Sequence, residues 1–130
     1  MLRLRFLFLL AAAWLLLPAR GQAESSAWFV HDLNQPAVEV PVPREWLHDA
    51  FRIMVCESGL NPAARNVAVV DGETFEVLGL MQILIDRATS RLIARLGYAV
   101  ENMLEPGPNL HVGYEWAQLT DRGMPFRQWE

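Results

Sequence analysis

The apolar positions of this chain fall into blocks with different periods. Residues 6–17 form a continuous apolar run that Pro18 closes. From Pro43 the pattern changes to steps of three and four: Trp46, Ala50, Ile53 or Met54, then Glu57. That spacing puts all of them on one face of an α-helix. Pro43 suits the first turn, and Gly59 followed by Pro62 stops the helix. Residues 46–57 cover about three turns, so the pattern predicts that Glu57 continues the buried stripe.

Further along, "VAVVDGETFEV" (67–77) sets two β-prone runs around Asp71-Gly72, a hairpin turn signal. "GLMQI" (79–83) follows. A second helix is expected from near Asp86, with Ala88, Leu92 and Leu96 inward and Gly97 at its end. Asn102 and Glu105 suit a capping box for a short turn. A third helix is expected from about Pro108 to Arg122, with Leu110, Gly113 and Ala117 inward and Gly123 as its cap. The tail "MPFRQWE" offers Phe126 and Trp129 to the same core. Upstream, residues 24–42 read as an irregular lead-in, because Pro36, Pro41 and Pro43 forbid a long helix; Trp28 and Phe29 are expected to tuck against the domain. Together the blocks predict a small, mainly helical α+β domain with one short hairpin after the first helix.

Length and composition narrow the picture. A chain of 130 residues holds at most one domain of this kind. Arg3 and Arg5, the run 6–17 and Gly21-Gln22-Ala23 together form a secretory signal pattern. The run is too short for the ~20 helical residues that span a bilayer. The expected organisation is a signal peptide at 1–23, a lead-in at 24–42 and one domain at 43–130. The expected location is a secreted or periplasmic space, with no membrane anchor after cleavage; an uncleaved anchor is the alternative. The chain has no lysine, and its eleven arginines face fifteen acids. Without residues 1–23 eight arginines remain, and the excess of acid argues against nucleic acid and anionic lipid as partners. Cys56 has no second cysteine to pair with, and its neighbours Met54 and Val55 predict burial. His31, His48 and His111 are scattered in positions that suit a surface. No Cys/His cluster has metal spacing, and neither metal nor cofactor is expected.

Glu57 is the candidate for chemistry. Apolar surroundings disfavour an ionised carboxylate, and the negative end of a helix pushes the same way. Both would make it a general acid near neutral pH. A solvated helix end is the plain alternative.

Three stretches, "ESGLNPAARN", "GLMQI" and "NLHVGYEW", occur in that order. Together they resemble the SLT-type lytic transglycosylase catalytic domain of the lysozyme-like superfamily. The Glu-Ser and Asn-Pro of that family match Glu57-Ser58 and Asn61-Pro62. Its Gly-Leu-Met-Gln matches Gly79-Leu80-Met81-Gln82. Its Asn-Ile-x-x-Gly-x-x-Tyr helix matches Asn109-Leu110, Gly113 and Trp116. The resemblance covers residues 43 to about 123 and implies a lysozyme-like fold. It also implies cleavage of the β-1,4 bond between N-acetylmuramic acid and N-acetylglucosamine in peptidoglycan strands. Glu57 would protonate the leaving oxygen, then act as base on the sugar's own 6-hydroxyl and leave a 1,6-anhydro end. One carboxylate then suffices, where ordinary glycosidases need a matched pair; Asp71, Glu73 and Glu76 are expected on a solvated loop.

The resemblance also implies that Gln82 reaches the sugar or its acetamide, with a loop-bracing amide as the alternative. Asn66 matches a position whose short polar side chain faces the cleft, with a turn residue as the alternative. Ser58 either joins the substrate site or holds the turn after Glu57. Met81 and Trp116 read as packing. The family's Ala-Tyr-Asn-Ala-Gly loop, whose tyrosine bonds near the glutamate, has no counterpart in these residues, and Tyr114 lies in a different motif. Either "RGMPFRQW" closes the cleft instead or activity is reduced. Two rival functions therefore stand beside the transglycosylase: a muramidase using water on the same fold, and a catalytically weak wall-binding module. With no wall-binding repeat in view, recruitment falls to the cleft itself or to a protein partner.

Overall fold

The computed structural model describes residues 26–121. The expected tail contacts of Phe126 and Trp129, the Gly123 cap and the segment 1–23 lie outside the described residues. In chain order the elements are β1 (Ala27–Phe29), β2 (Val38–Val40), α1 (Arg44–Ser58), β3 (Arg65–Val70), β4 (Glu73–Leu78), β5 (Ile83–Leu84), α2 (Arg87–Arg95), a 3₁₀ turn (Val100–Leu104) and α3 (Pro106–Asp121). The architecture is the expected mainly helical α+β domain.

Pro43 supplies the extended backbone before α1, and the N–H of Leu47 donates to its carbonyl. The helix buries Trp46, Leu47, Ala50 and Met54. Gly59 takes the left-handed conformation at φ 60°, and the Leu60 N–H closes back on the Met54 carbonyl at 3.3 Å. A glycine in that cap carries no Cβ penalty. The stripe does not run on to Glu57. The core ends at Met54, so the last turn projects from the body of the domain, and Val55, Cys56 and Glu57 are all exposed. This corrects the expected burial of both Glu57 and Cys56: periodicity continues through the helix, but among the described residues no layer covers these three side chains.

The hairpin forms as the turn residues dictate. Asp71 and Gly72 both have positive φ, 51° and 82°, joining Val70 directly to Glu73. Positive φ at both central residues matches the twist of the flanking strands. Asp71, Glu73 and Glu76 are exposed as expected. So are Val67, Val69 and Val70, on the outer strand of a sheet ordered β3-β4-β5.

The lead-in is not irregular. Residues 27–29 and 38–40 pair as an antiparallel hairpin, with Ala27 opposite Val40 and Phe29 opposite Val38. Prolines forbid a helix here but leave short strands on either side of a loop. Ala27, Phe29, Val40 and Val42 enter the core, whereas Trp28 faces outward.

Helix α2 is capped by Asp86, whose carboxylate accepts from the Thr89 N–H while the Thr89 hydroxyl accepts from the Asp86 N–H. This capping box sets the rotation of the helix, so Thr89, Leu92 and Ile93 face inward while Ala88 is exposed. The expected Asn102–Glu105 box takes another form. Asn102 Oδ1 accepts from the Ala99 N–H, and its amide donates to Glu105 Oε1. His111 is not a surface residue; it is half-buried on α3, where Nδ1 shares a 2.9 Å hydrogen bond with the hydroxyl of Tyr98. Burial raises the pKa of that tyrosine above 10.0.

Helix α3 brings Leu110, Gly113 and Ala117 inward as expected. It also buries Asn109 completely. That side chain accepts from the Met81 N–H at 2.9 Å and donates to the carbonyls of Leu78 at 3.0 Å and Met103 at 2.9 Å. Three backbone groups from two loops thus find one partner. Gly79 makes room for it: a Cβ there would lie 2.0 Å from the Met103 carbonyl oxygen and 2.3 Å from Asn109 Nδ2. Leaving a buried polar group without a partner costs about 1–3 kcal/mol. Asn109→Ala strands three of them, so a loss of at least about 3 kcal/mol is expected. Urea denaturation of the two proteins measures it; a loss below about 1 kcal/mol, within the range of one ordinary hydrogen bond, would show that the clamp is not what holds these loops.

Candidate functional site

Two loops meet beside the end of α1. The first leaves the helix at Gly59 and Leu60, both with positive φ. Asn61 braces it, its side chain accepting from the Ala63 N–H and its carbonyl from the Ala64 N–H. The second is the four-residue connection 79–82 between β4 and β5. The Gly79 N–H donates to the Ala64 carbonyl at 2.8 Å, tying the second loop to the first. Met81 fills the core beneath, with no exposed surface, and its Cγ lies 3.3 Å from where a Cβ on Gly113 would stand. The glycine on α3 lets that helix pass close to the loop.

Gln82 closes the loop with φ at 50°, and its N–H donates to the Gly79 carbonyl. Its side-chain amide is committed locally. Nε2 donates to the Gly79 carbonyl at 2.9 Å and more weakly to the Ala64 carbonyl at 3.5 Å. Oε1 accepts from Asn66 Nδ2 at 2.6 Å. Of the two readings open for Gln82, the loop brace describes the free protein. Asn66 is exposed on β3, and its Oδ1 keeps an open acceptor. The Ser58 hydroxyl is engaged within the helix, donating to the Met54 carbonyl one turn back in α1.

Glu57 stands at the head of the first loop. Its side chain is exposed, and among the described residues no ion pair or hydrogen bond engages its carboxyl. Among the described residues, the apolar surroundings expected around it are not found. The site thus offers a free carboxylate, an exposed amide on β3 and a rigid loop behind that amide. Such an arrangement can move a proton and hold a polar ligand. Among the described residues, no group of His, Cys, Asp and Glu side chains is placed to bind a metal ion, and no helix is long and apolar enough to cross a membrane.

One family model, the transglycosylase SLT domain, matches residues 44–122. The chain belongs to that family. The match runs from the first turn of α1 through both loops to the end of α3, so it contains Glu57, Asn66 and Gln82. The α+β fold described above is that of a lysozyme-like SLT domain, a family of peptidoglycan-cleaving transglycosylases. No curated protein and no solved structure matches the chain.

Asn109 carries a role that the sequence reading did not assign. The signal was present: Asn109, Val112, Gly113 and Trp116 share one inward face of α3 at helical spacing. A polar residue on such a face must be partnered. A groove of about 610 Å³ was also missed. It lies between β1 and the first half of α1 and includes none of Glu57, Asn66 or Gln82.

The brace formed by Gln82 is testable apart from catalysis. Gln82→Ala removes hydrogen bonds worth about 0.5–1.5 kcal/mol each. A loss of about 1–3 kcal/mol is expected, together with faster amide hydrogen exchange at Gly79 and Gln82. Unchanged exchange at both amides would remove the bracing role.

Proposed function

We propose that the protein is an exported lytic transglycosylase that cuts the β-1,4 bond between N-acetylmuramic acid and N-acetylglucosamine. The observation that carries this reading is the family match across residues 44–122, which encloses Glu57 and both loops. The exposed carboxyl of Glu57, with no ion pair or hydrogen bond among the described residues, is accessible to a glycan, as the acid and base steps require.

The chemistry needs one group that first gives and then takes a proton. Protonated Glu57 donates to the glycosidic oxygen as the bond from C1 of the muramic residue breaks. The carboxylate left behind takes the proton of the 6-hydroxyl on the same sugar as O6 bonds to C1. The ring closes to a 1,6-anhydro end, Glu57 is protonated again, and no water is consumed. In this reading the bound glycan helps to exclude water from the carboxyl. Asn66, held by Gln82, offers its open Oδ1 and its remaining N–H to the sugar.

Glu57→Gln keeps size and loses proton transfer. Turnover of purified peptidoglycan is expected to fall by about 10²–10⁴-fold. Stability should stay within about 0.5 kcal/mol, since the residue is exposed. Near-normal turnover in the folded variant would take Glu57 out of the mechanism. Mass spectrometry of the released fragments tests the product: 1,6-anhydro ends are expected. Reducing ends alone would make the protein a muramidase, and no fragments would make it a binding module.

Export rests on the pattern of residues 1–23. Amino-terminal sequencing of protein recovered from outside the cytoplasm should begin near Glu24; a retained Met1 would refute cleavage.

A further inference from the structure

The groove between β1 and α1 belongs to a different part of the molecule from the two loops. Its β1 wall, including Trp28 and Val30, precedes residue 44 and so lies outside the family match. Its other wall is the helix row Arg44, His48 and Arg52, backed by Leu47 and Phe51. Trp28 is 69% exposed and Phe51 43%, an unusual outlay of aromatic surface to water for a small domain. Among the described residues neither Arg44 nor Arg52 makes an ion pair. The one carboxylate in the groove, Asp49, lies 3.5 Å from His48. An acidic chain therefore keeps two free guanidiniums beside exposed aromatic rings.

We infer that this groove is a second, non-catalytic binding site for peptidoglycan, and that it takes a peptide stem of the polymer. The inference rests on the proposed peptidoglycan substrate. The stems carry methyl side chains and free carboxylates, which are the complements of Trp28, Leu47 and Phe51 on one hand and of Arg44 and Arg52 on the other. Guanidiniums bind carboxylates through paired hydrogen bonds. A volume of about 610 Å³ lies within the usual range for a ligand pocket, about 300–1,000 Å³. A stable protein partner needs about 800 Å² on each side, more than a groove of nine residues offers.

The placement fits a polymer network. His48 and Glu57 are nine residues apart in α1, about two and a half turns, so they point to opposite sides of the helix. A stem in the groove leaves the Glu57 side open, and the protein can hold one strand while another is cut. Two weak contacts on one polymer multiply into avidity. They also offset the repulsion between an acidic protein and a carboxylate-rich wall.

The test uses the mature chain with Glu57→Gln, so that binding is read without cutting. Cosedimentation with insoluble sacculi is compared for this protein and for versions adding Trp28→Ala or Arg44→Gln with Arg52→Gln. Each is expected to bind stem-bearing sacculi about tenfold more weakly, with unchanged binding to glycan stripped of its stems by an amidase. In the Glu57 background, turnover of short stem-free glycan should be unaffected. These surface changes leave the core intact, which thermal unfolding verifies. Equal binding of all versions to sacculi would overturn the inference, as would an equal loss on stripped glycan. Unchanged sacculus binding with lost binding of a glutamate–tyrosine copolymer would assign the groove to an acidic protein instead. If no fragments are ever released by the native protein but the stem-dependent loss persists, the groove stands and the transglycosylase reading falls.

Discussion

One buried side-chain amide organises this domain. Asn109 joins the connection 79–82 to the turn at Met103 from the middle of a helix, and does so where no water can substitute. Every polar atom of its side chain is used. An asparagine in an apolar interior is tolerable only when fully partnered, and full partnering admits one position for each loop. Gly79 is the counterpart of that constraint, since any side chain there would occupy the space of the amide. The half-buried amide of Gln82 and, through it, the exposed amide of Asn66 rest on the loop that this buried one holds. The precision of the surface site is thus set in the core, on a helix that contributes none of the candidate site residues.

The division of labour between the amides follows from counting donors and acceptors. Gln82 spends its side chain on the carbonyls beside it and on Asn66. Asn66 spends only one N–H. Gln82 has both amide hydrogens engaged within the protein, whereas Asn66 keeps one N–H and its amide oxygen for a ligand. The motif glutamine thus holds its neighbour on β3, and the family resemblance had pointed to both side chains.

Elements with strong local signals were legible in the sequence. The first helix, its glycine stop, the Asp71-Gly72 hairpin and the inward face of α3 all follow from period and turn chemistry. What failed were statements about which layer covers an element. Glu57 and Cys56 share the periodicity of a buried stripe, yet among the described residues no layer covers them in the last turn of α1. Ala88 was assigned inward by spacing, but the Asp86–Thr89 capping box fixes the helix rotation and turns it out. The prolines of residues 24–42 rule out a helix without ruling out three-residue strands. Site residues were legible as motif letters, while the roles of Gln82 and Ser58 depended on partners distant in sequence or on a bond back into the helix.

The valines of β3 carry a consequence for how the protein behaves in concentrated solution. Strand β3 is the margin of its sheet and presents six residues, RNVAVV, with one charge and no proline. Margins of this kind are ordinarily guarded by lysine, proline or a bulge. This chain has no lysine anywhere, so the guard falls to Arg65 at one end and to the acidic hairpin tip at the other. Its colloidal stability then depends on like-charge repulsion between acidic hairpin tips, and added salt screens the barrier that keeps two such margins apart.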